Sequence, residues 1–128
     1  MIGVRMALYT GYFAGLKRYG DVTPIAICQY IPKWYSGIHF DVVAPSSSIL
    51  KNYKDGHLTE EEYEILYKEQ LNKLNFQKDF LLPLKNILDK DNKDVVFLCY
   101  EKNGDFCHRH IFSQWINEHI PNLCKGEL

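Results

Sequence analysis

The sequence predicts an α/β fold of three layers, a mostly parallel sheet with helices on both faces. Three observations carry this. Residues 95–100 (VVFLCY) form an unbroken apolar run between Asp94 and the polar stretch from Glu101 to Asp105, the mark of an interior parallel strand. Two earlier segments, 4–10 (VRMALYT) and 24–30 (PIAICQY), have strand character. Segments of helical period lie between the second strand and the central one, and again after it.

The first strand ends in Tyr9, Thr10, Gly11, Tyr12 and Phe13. If it is parallel to the central strand, Tyr9, Thr10 and Tyr12 reach the same sheet edge as Cys99. The second strand ends in Cys28, Gln29 and Tyr30 before Ile31-Pro32 closes it, because proline cannot donate to a ladder. An aromatic loop with Lys33, Trp34 and Tyr35 follows, suited to stacking on a planar ligand or to packing over the sheet edge. Residues 38–45 suggest a short buried strand.

Ser46, Ser47 and Ser48 open a short helix that Lys54, Asp55 and Gly56 end, and capping explains the serines better than nucleophilic chemistry does. Thr59 with Glu62 forms a capping box for the next helix, with Leu58 and Tyr63 as its staple. A further helix is expected over 76–88, with Pro83 in its first turn. Asn103-Gly104 marks a turn. The last helix starts at Cys107-His108-Arg109 and ends before Pro121, leaving residues 124–128 as a loosely held tail.

At 128 residues the chain is one domain, 1–128. Fifteen Lys and Arg against sixteen Asp and Glu give a net charge of -1, so nothing signals non-specific nucleic-acid binding, and only a local basic patch would permit it. No window approaches a membrane span and no secretory segment opens the chain, so a soluble cytoplasmic protein with reduced thiols is expected. The four cysteines, at 28, 99, 107 and 124, have no C-x-x-C spacing. Cys28, Cys99, Cys107 and His108 are the set that could converge on zinc, but the spacing does not call for it, and neither metal nor cofactor is expected.

Chemistry concentrates where the central strand passes into the last helix. Cys107 at a helix start, beside His108 and Arg109, sits where positive charge and unpaired backbone N–H groups favour a thiolate. Cys99, Glu101 and Cys107 then surround one crevice at the carboxyl end of the sheet, where open α/β folds place ligands. The catalytic candidates are Cys107 as nucleophile or key polar group, Glu101 as proton shuttle, His108 as base or orienter, and Arg109 as anion clamp. Structural readings stand beside these: a satisfied core histidine at 108, and an ion pair of Arg109 with Glu101. Tyr9, Thr10, Tyr12, Cys28, Gln29, Tyr30, Trp34 and Cys99 are the candidate binding residues.

The run Cys99-Tyr100-Glu101-Lys102 followed by Cys107-His108-Arg109 resembles the signature of the DUF488 family. Tyr9-Thr10-Gly11-Tyr12-Phe13, Ala44-Pro45-Ser46 and Tyr53-Lys54-Asp55-Gly56 resemble other segments of that family, so the similarity spans nearly the whole chain. The resemblance implies a compact α/β fold with its characteristic residues at the sheet edge, and no assigned reaction. Many members carry SxxxxP at the end of the second strand, often with a basic residue, where this chain has Cys28-Gln29-Tyr30-Ile31-Pro32. That difference implies a specialised ligand.

Three functions fit. The first is an enzyme, a hydrolase or transferase, acting on a small anionic, nucleotide-like or nucleic-acid-derived substrate. The second is a non-catalytic module that sequesters or recognises a nucleotide or base. The third is an accessory domain that docks on a partner protein.

Overall fold

The computed structural model describes residues 7–90, 92–101 and 106–128. Five strands form one parallel sheet in the order β3-β2-β4-β1-β5, with β1 Leu8–Tyr12, β2 Thr23–Ala26, β3 Ile38–His39, β4 Val95–Cys99 and β5 Cys124–Glu127. β4 lies between β2 and β1, as its unbroken apolar sequence requires, and all five of its residues are buried.

The two faces of the sheet are covered differently. Ile25, Val95 and Phe97 point into the larger core, against α1 Ser47–Lys54, α2 Glu60–Asn72, α3 Leu82–Lys90 and α4 His108–His119. There Phe97 meets Phe80 and Phe112 at ring-centroid distances of 6.1 and 5.0 Å. Burying one such ring contributes about 1.5–3 kcal/mol. Ala26, Val96 and Leu98 point the other way, under the short 3₁₀ helix Phe13–Arg18 and the loop that carries Tyr35. The fold is therefore a three-layer α/β architecture with helices on both faces.

The connections obey one hand. Those running toward β3 in the sheet pass over the Phe13 face, and those running toward β5 pass over the α-helical face. Neighbouring β2 and β4 consequently send their chains to opposite faces, which opens a crevice beyond their carboxyl ends.

Most element starts follow the local sequence. Ser46 caps α1 by accepting from the Ile49 N–H (3.2 Å), so the serine run is a cap. The Thr59–Glu62 capping box is present in both directions, at 3.1 and 2.9 Å. Four expectations are corrected. β2 leaves the ladder after Ala26 rather than continuing to Tyr30: Ile27 makes the last ladder bond, to the Leu98 carbonyl (3.0 Å), and the chain then turns away. The single helix expected over 76–88 is a π-helical segment, Phe76–Leu81, followed by α3. Pro83 has no N–H to donate back, and the wider turns precede it. The segment at 38–45 is a two-residue strand followed by a 3₁₀ turn, Asp41–Val43. The chain end is β5, paired with β1, not a loose tail. The expected turn at Asn103-Gly104 and the start of the first strand at residues 4–6 lie outside the described residues.

β5 contains an irregularity that positions a functional group. Cys124 pairs with Leu8 but Glu127 pairs with Thr10, so three steps on β5 oppose two on β1. Gly126, at φ +112°, takes up the extra residue in a backbone conformation that favours glycine. Without the bulge Glu127 would face away from Cys124. With it, Glu127 turns to the α4 side of the sheet.

Candidate functional site

The crevice between the ends of β2 and β4 is a cleft of about 190 Å³. Its β2 side is Cys28, Gln29 and Tyr30, and its β4 side is Tyr100 and Glu101. Cys107 and His108, at the start of α4, form part of its lining, and Pro45, Leu50, Tyr53, Lys54, Tyr63 and Phe106 complete it. Aromatic rings dominate. Phe106 packs against Tyr53 and Tyr63 at 5.4 and 5.1 Å, and those two tyrosines meet edge to face at 5.2 Å.

Six of the residues singled out in the sequence therefore line the cleft: Cys28, Gln29, Tyr30, Glu101, Cys107 and His108. Tyr9, Thr10, Tyr12, Trp34, Cys99 and Arg109 do not. Trp34 is an exposed ring packed edge to face on Phe13 (6.1 Å), and Phe13 contacts Tyr100 (5.1 Å), so the aromatic loop reaches only the rim. Tyr53, Lys54, Tyr63 and Phe106 were missed as site residues. Tyr53 and Tyr63 carried the apolar spacing of packed helices, and Lys54 carried a helix-end signal, so nothing in period or charge marked them out. Only the approach of α1 and α2 to the end of β4 gives them this role.

His108 is buried, and its Nε2 lies 2.6 Å from the Ile27 carbonyl. A carbonyl only accepts, so Nε2 carries the proton. Burial pushes the imidazole pKa down to about 4, against the opposing effect of that hydrogen bond, and the Arg109 and His110 charges add to the depression. His108 is thus neutral near pH 7, and its Nδ1 presents a bare lone pair. That nitrogen is 3.9 Å from Cys107 Sγ. The Tyr67 ring stands edge-on to the imidazole at 5.7 Å and fixes its plane. The buried histidine is both a satisfied core residue and a group facing a sulfur.

Cys107 is the N-cap residue of α4, with its side chain at the positive end of the helix. Its sulfur is bonded to that of Cys99, which departs from the expectation of four reduced thiols; Cys28 and Cys124 are free and buried. The other cleft thiol, Cys28, donates to the Tyr30 carbonyl at 3.0 Å, and burial pushes its pKa up to about 11. Cys28 is a neutral thiol near pH 7.

Arg109 does not act as the expected clamp, nor does it pair with the Glu101 carboxylate. Its side chain is fully buried, with Nε and NH2 on the two oxygens of Glu127 at 3.0 and 2.8 Å. NH1 reaches the Cys99 sulfur at 3.1 Å and also the Glu101 backbone carbonyl. Thr10 donates to Glu127 at 2.6 Å, which is the part that residue plays instead of lining the crevice. The Tyr12 ring lies below the guanidinium at 5.9 Å. Burial pushes the Glu127 carboxyl up, but the hydrogen bonds from Arg109 and Thr10 outweigh it and the net shift is down.

Glu101 is exposed at the cleft. Burial first, and the Glu101 charge second, push the Tyr63 phenol up, so the wall beside the carboxylate offers a neutral hydroxyl. Lys54 supplies the ammonium group of the lining. Cys99, Cys107 and His108 bring three donor atoms within 4.8 Å of one another, the one cluster of metal-ligand type among the described residues. No described helix is long and apolar enough to cross a membrane.

The family model described as "Active DUF488-N3 subclade" matches residues 16–120. Comparisons with curated proteins and with solved structures give no match. The matched span runs from the 3₁₀ helix after β1 to the end of α4 and includes every residue of the cleft, and the chain belongs to the DUF488 family.

Proposed function

We propose that the chain is an enzyme, a transferase or hydrolase, that uses Cys107 as nucleophile on a small planar-ring substrate of the nucleotide class. The observation that carries this is the pairing of Cys107 with a neutral, tautomer-fixed His108 in a cleft walled by aromatic rings. Tyr53, Tyr63 and Phe106 give the cleft an aromatic wall against which a base-like ring would pack. Lys54 provides the charge for a phosphate or other anionic substituent. Glu101, exposed at the mouth, exchanges a proton with the leaving group or with water. His108 orients the thiol and accepts its proton only as attack proceeds, because a buried imidazolium is costly at rest. A cytoplasmic setting, where thiols are kept reduced, would hold Cys107 in its working state.

The test is a ligand panel of nucleobases, nucleosides and nucleotides against the reduced protein. Binding is read by calorimetry and conversion by chromatography. The proposal expects ring-bearing compounds to bind, and at least one to be converted by wild type but not by Cys107→Ser. Conversion by Cys107→Ser at the wild-type rate, or no binding by any ring-bearing compound, would reject it.

One observation favours a second reading. While Cys107 is bonded to Cys99 it has no thiol to attack with, and the cleft in that state serves binding alone. A non-catalytic nucleotide-binding module would bind equally well oxidised and reduced, and convert nothing in either state.

A further inference from the structure

We propose that Cys99 is a second catalytic thiol that resolves the adduct formed on Cys107, which makes the substrate an organic disulfide or persulfide carrying a planar ring. This rests on Cys107 being the cleft's nucleophile, and it makes the net reaction the reduction of an S–S bond in place of the transfer or hydrolysis of the reading above.

Cys99 is fully buried and lies outside the cleft lining, while Cys107 is part of that lining. The groups at the Cys99 sulfur are the Cys107 sulfur, the Arg109 guanidinium at 3.1 Å, and a ring nitrogen of His108 within 4.8 Å. The buried guanidinium is paired through Nε and NH2 with Glu127, and that pairing leaves NH1 to reach the Cys99 sulfur and the Glu101 backbone carbonyl. Here α4 supplies Arg109, the bulged β5 supplies Glu127, and β1 supplies Thr10, and together they fix the guanidinium with NH1 against that sulfur and the Glu101 carbonyl. Such a donor stabilises a thiolate at Cys99, both when it attacks and when it departs. Its attack is directed at Cys107.

That restriction selects the chemistry. An acyl or alkyl group on Cys107 is held by an S–C bond, and attack by Cys99 on the Cys107 sulfur would have to expel a carbanion. A group held by an S–S bond leaves as a thiolate. In the first step the Cys107 thiolate attacks R–S–S–R′, where R′ is hydrogen in a persulfide. The Cys107–S–S–R bond forms and R′S⁻ leaves, taking a proton from water or from Glu101. In the second step the Cys99 thiolate attacks Cys107 Sγ, the Cys99–Cys107 bond forms, and RS⁻ leaves and is protonated. The substrate gains two electrons and the protein thiols lose two. Two equivalents of a small thiol, or one of a dithiol, then reduce the pair and are themselves oxidised to a disulfide. The cleft is far larger than a hydroperoxide needs and is walled by rings, which favours an organic R group over the other electrophile that a thiol pair resolves.

The experiment mixes fully reduced wild type with a limiting amount of 4,4′-dithiodipyridine, an aromatic disulfide. It follows thiopyridone release by absorbance and the protein by intact mass and peptide mapping. The expected result is two thiopyridones released per disulfide consumed, no retained adduct, and a Cys99–Cys107 link. Cys99→Ser, or Cys99→Ala if that variant fails to fold, should release one thiopyridone and retain the other on Cys107. Wild type that retains the adduct on Cys107 would overturn the role of Cys99 and leave the nucleophile standing. Wild type that never reacts at Cys107 would overturn the nucleophile as well. In a parallel arm, hydrogen peroxide that closes the pair faster than the aromatic disulfide at equal concentration would overturn the assignment to sulfur substrates.

Discussion

Arg109 and Glu127 hold each other through two hydrogen bonds, of 3.0 and 2.8 Å, between the first turn of α4 and the last residue of β5. The pair joins the chain's end to its reactive corner, because the same guanidinium reaches the Cys99 sulfur. Glu127→Ala would leave a buried cation unpaired, at a cost of about 3 kcal/mol, the low end for such a pair because Glu127 keeps 15 % exposure. Urea unfolding at pH 7 measures it. Because the folded Glu127 pKa is lowered, this contribution is complete above the ordinary value of 4.5 and fades as pH falls through the folded value. The difference between wild type and the alanine variant should therefore shrink in acid.

The bulge at Gly126 should behave as part of the same device. Gly126→Ala forces a side chain onto φ +112°, at a cost of about 1–3 kcal/mol. It should also loosen Glu127 from Arg109, seen as faster amide exchange in β5 and at the start of α4. A variant as stable and as protected as wild type would contradict the role given to the bulge.

His108 should give the fold a pH dependence of opposite origin. Its folded pKa, about 4, lies below the unfolded value of 6.5, so between those limits the unfolded chain binds more protons. Its contribution is complete above 6.5 and is lost as pH falls toward 4, by about 3 kcal/mol in all. His108→Gln should flatten the slope of unfolding free energy across that window. His110 is also depressed, chiefly by burial, so some slope should persist.

Lys54 should affect ligands and not the fold. Lys54→Ala should weaken binding of a phosphate-bearing ring compound by about tenfold, or 1.4 kcal/mol, and leave binding of the uncharged base unchanged. Titrating a nucleotide and its parent base against both proteins tests this. Equal losses for the two ligands would show that Lys54 does not meet the anion.

The layers of the fold were legible because they follow from local rules. The apolar run at 95–100, bounded by polar turn formers, marks an interior strand, which ends at Cys99 with Tyr100 turned out to solvent, and the Thr59–Glu62 box names its own helix start. The corner of Glu101, Cys107 and His108 was legible from residue type and order. The rest depends on long-range pairing. Residues 124–127 (CKGE) have little strand character, and only the pairing with β1 and the turn at Gly126 give Glu127 its partner. Arg109 was placed correctly on α4, but its direction is decided by Glu127, which no period connects to it. The cleft's aromatic wall had the same origin: Tyr53 and Tyr63 lie on different helices that meet only in the folded chain.

The most direct measurement of the central claim is site-resolved alkylation of the reduced protein. The reduced chain is treated with iodoacetamide at neutral pH, with and without a bound ring compound, and each cysteine is followed by peptide mapping. Cys107 should be modified first and be protected by ligand, while Cys28, a neutral thiol in the same cleft with a pKa of about 11, stays intact. Modification of Cys28 at least as fast as Cys107, or a Cys107 that ligand does not protect, would contradict the assignment of Cys107 as the nucleophile of this cleft.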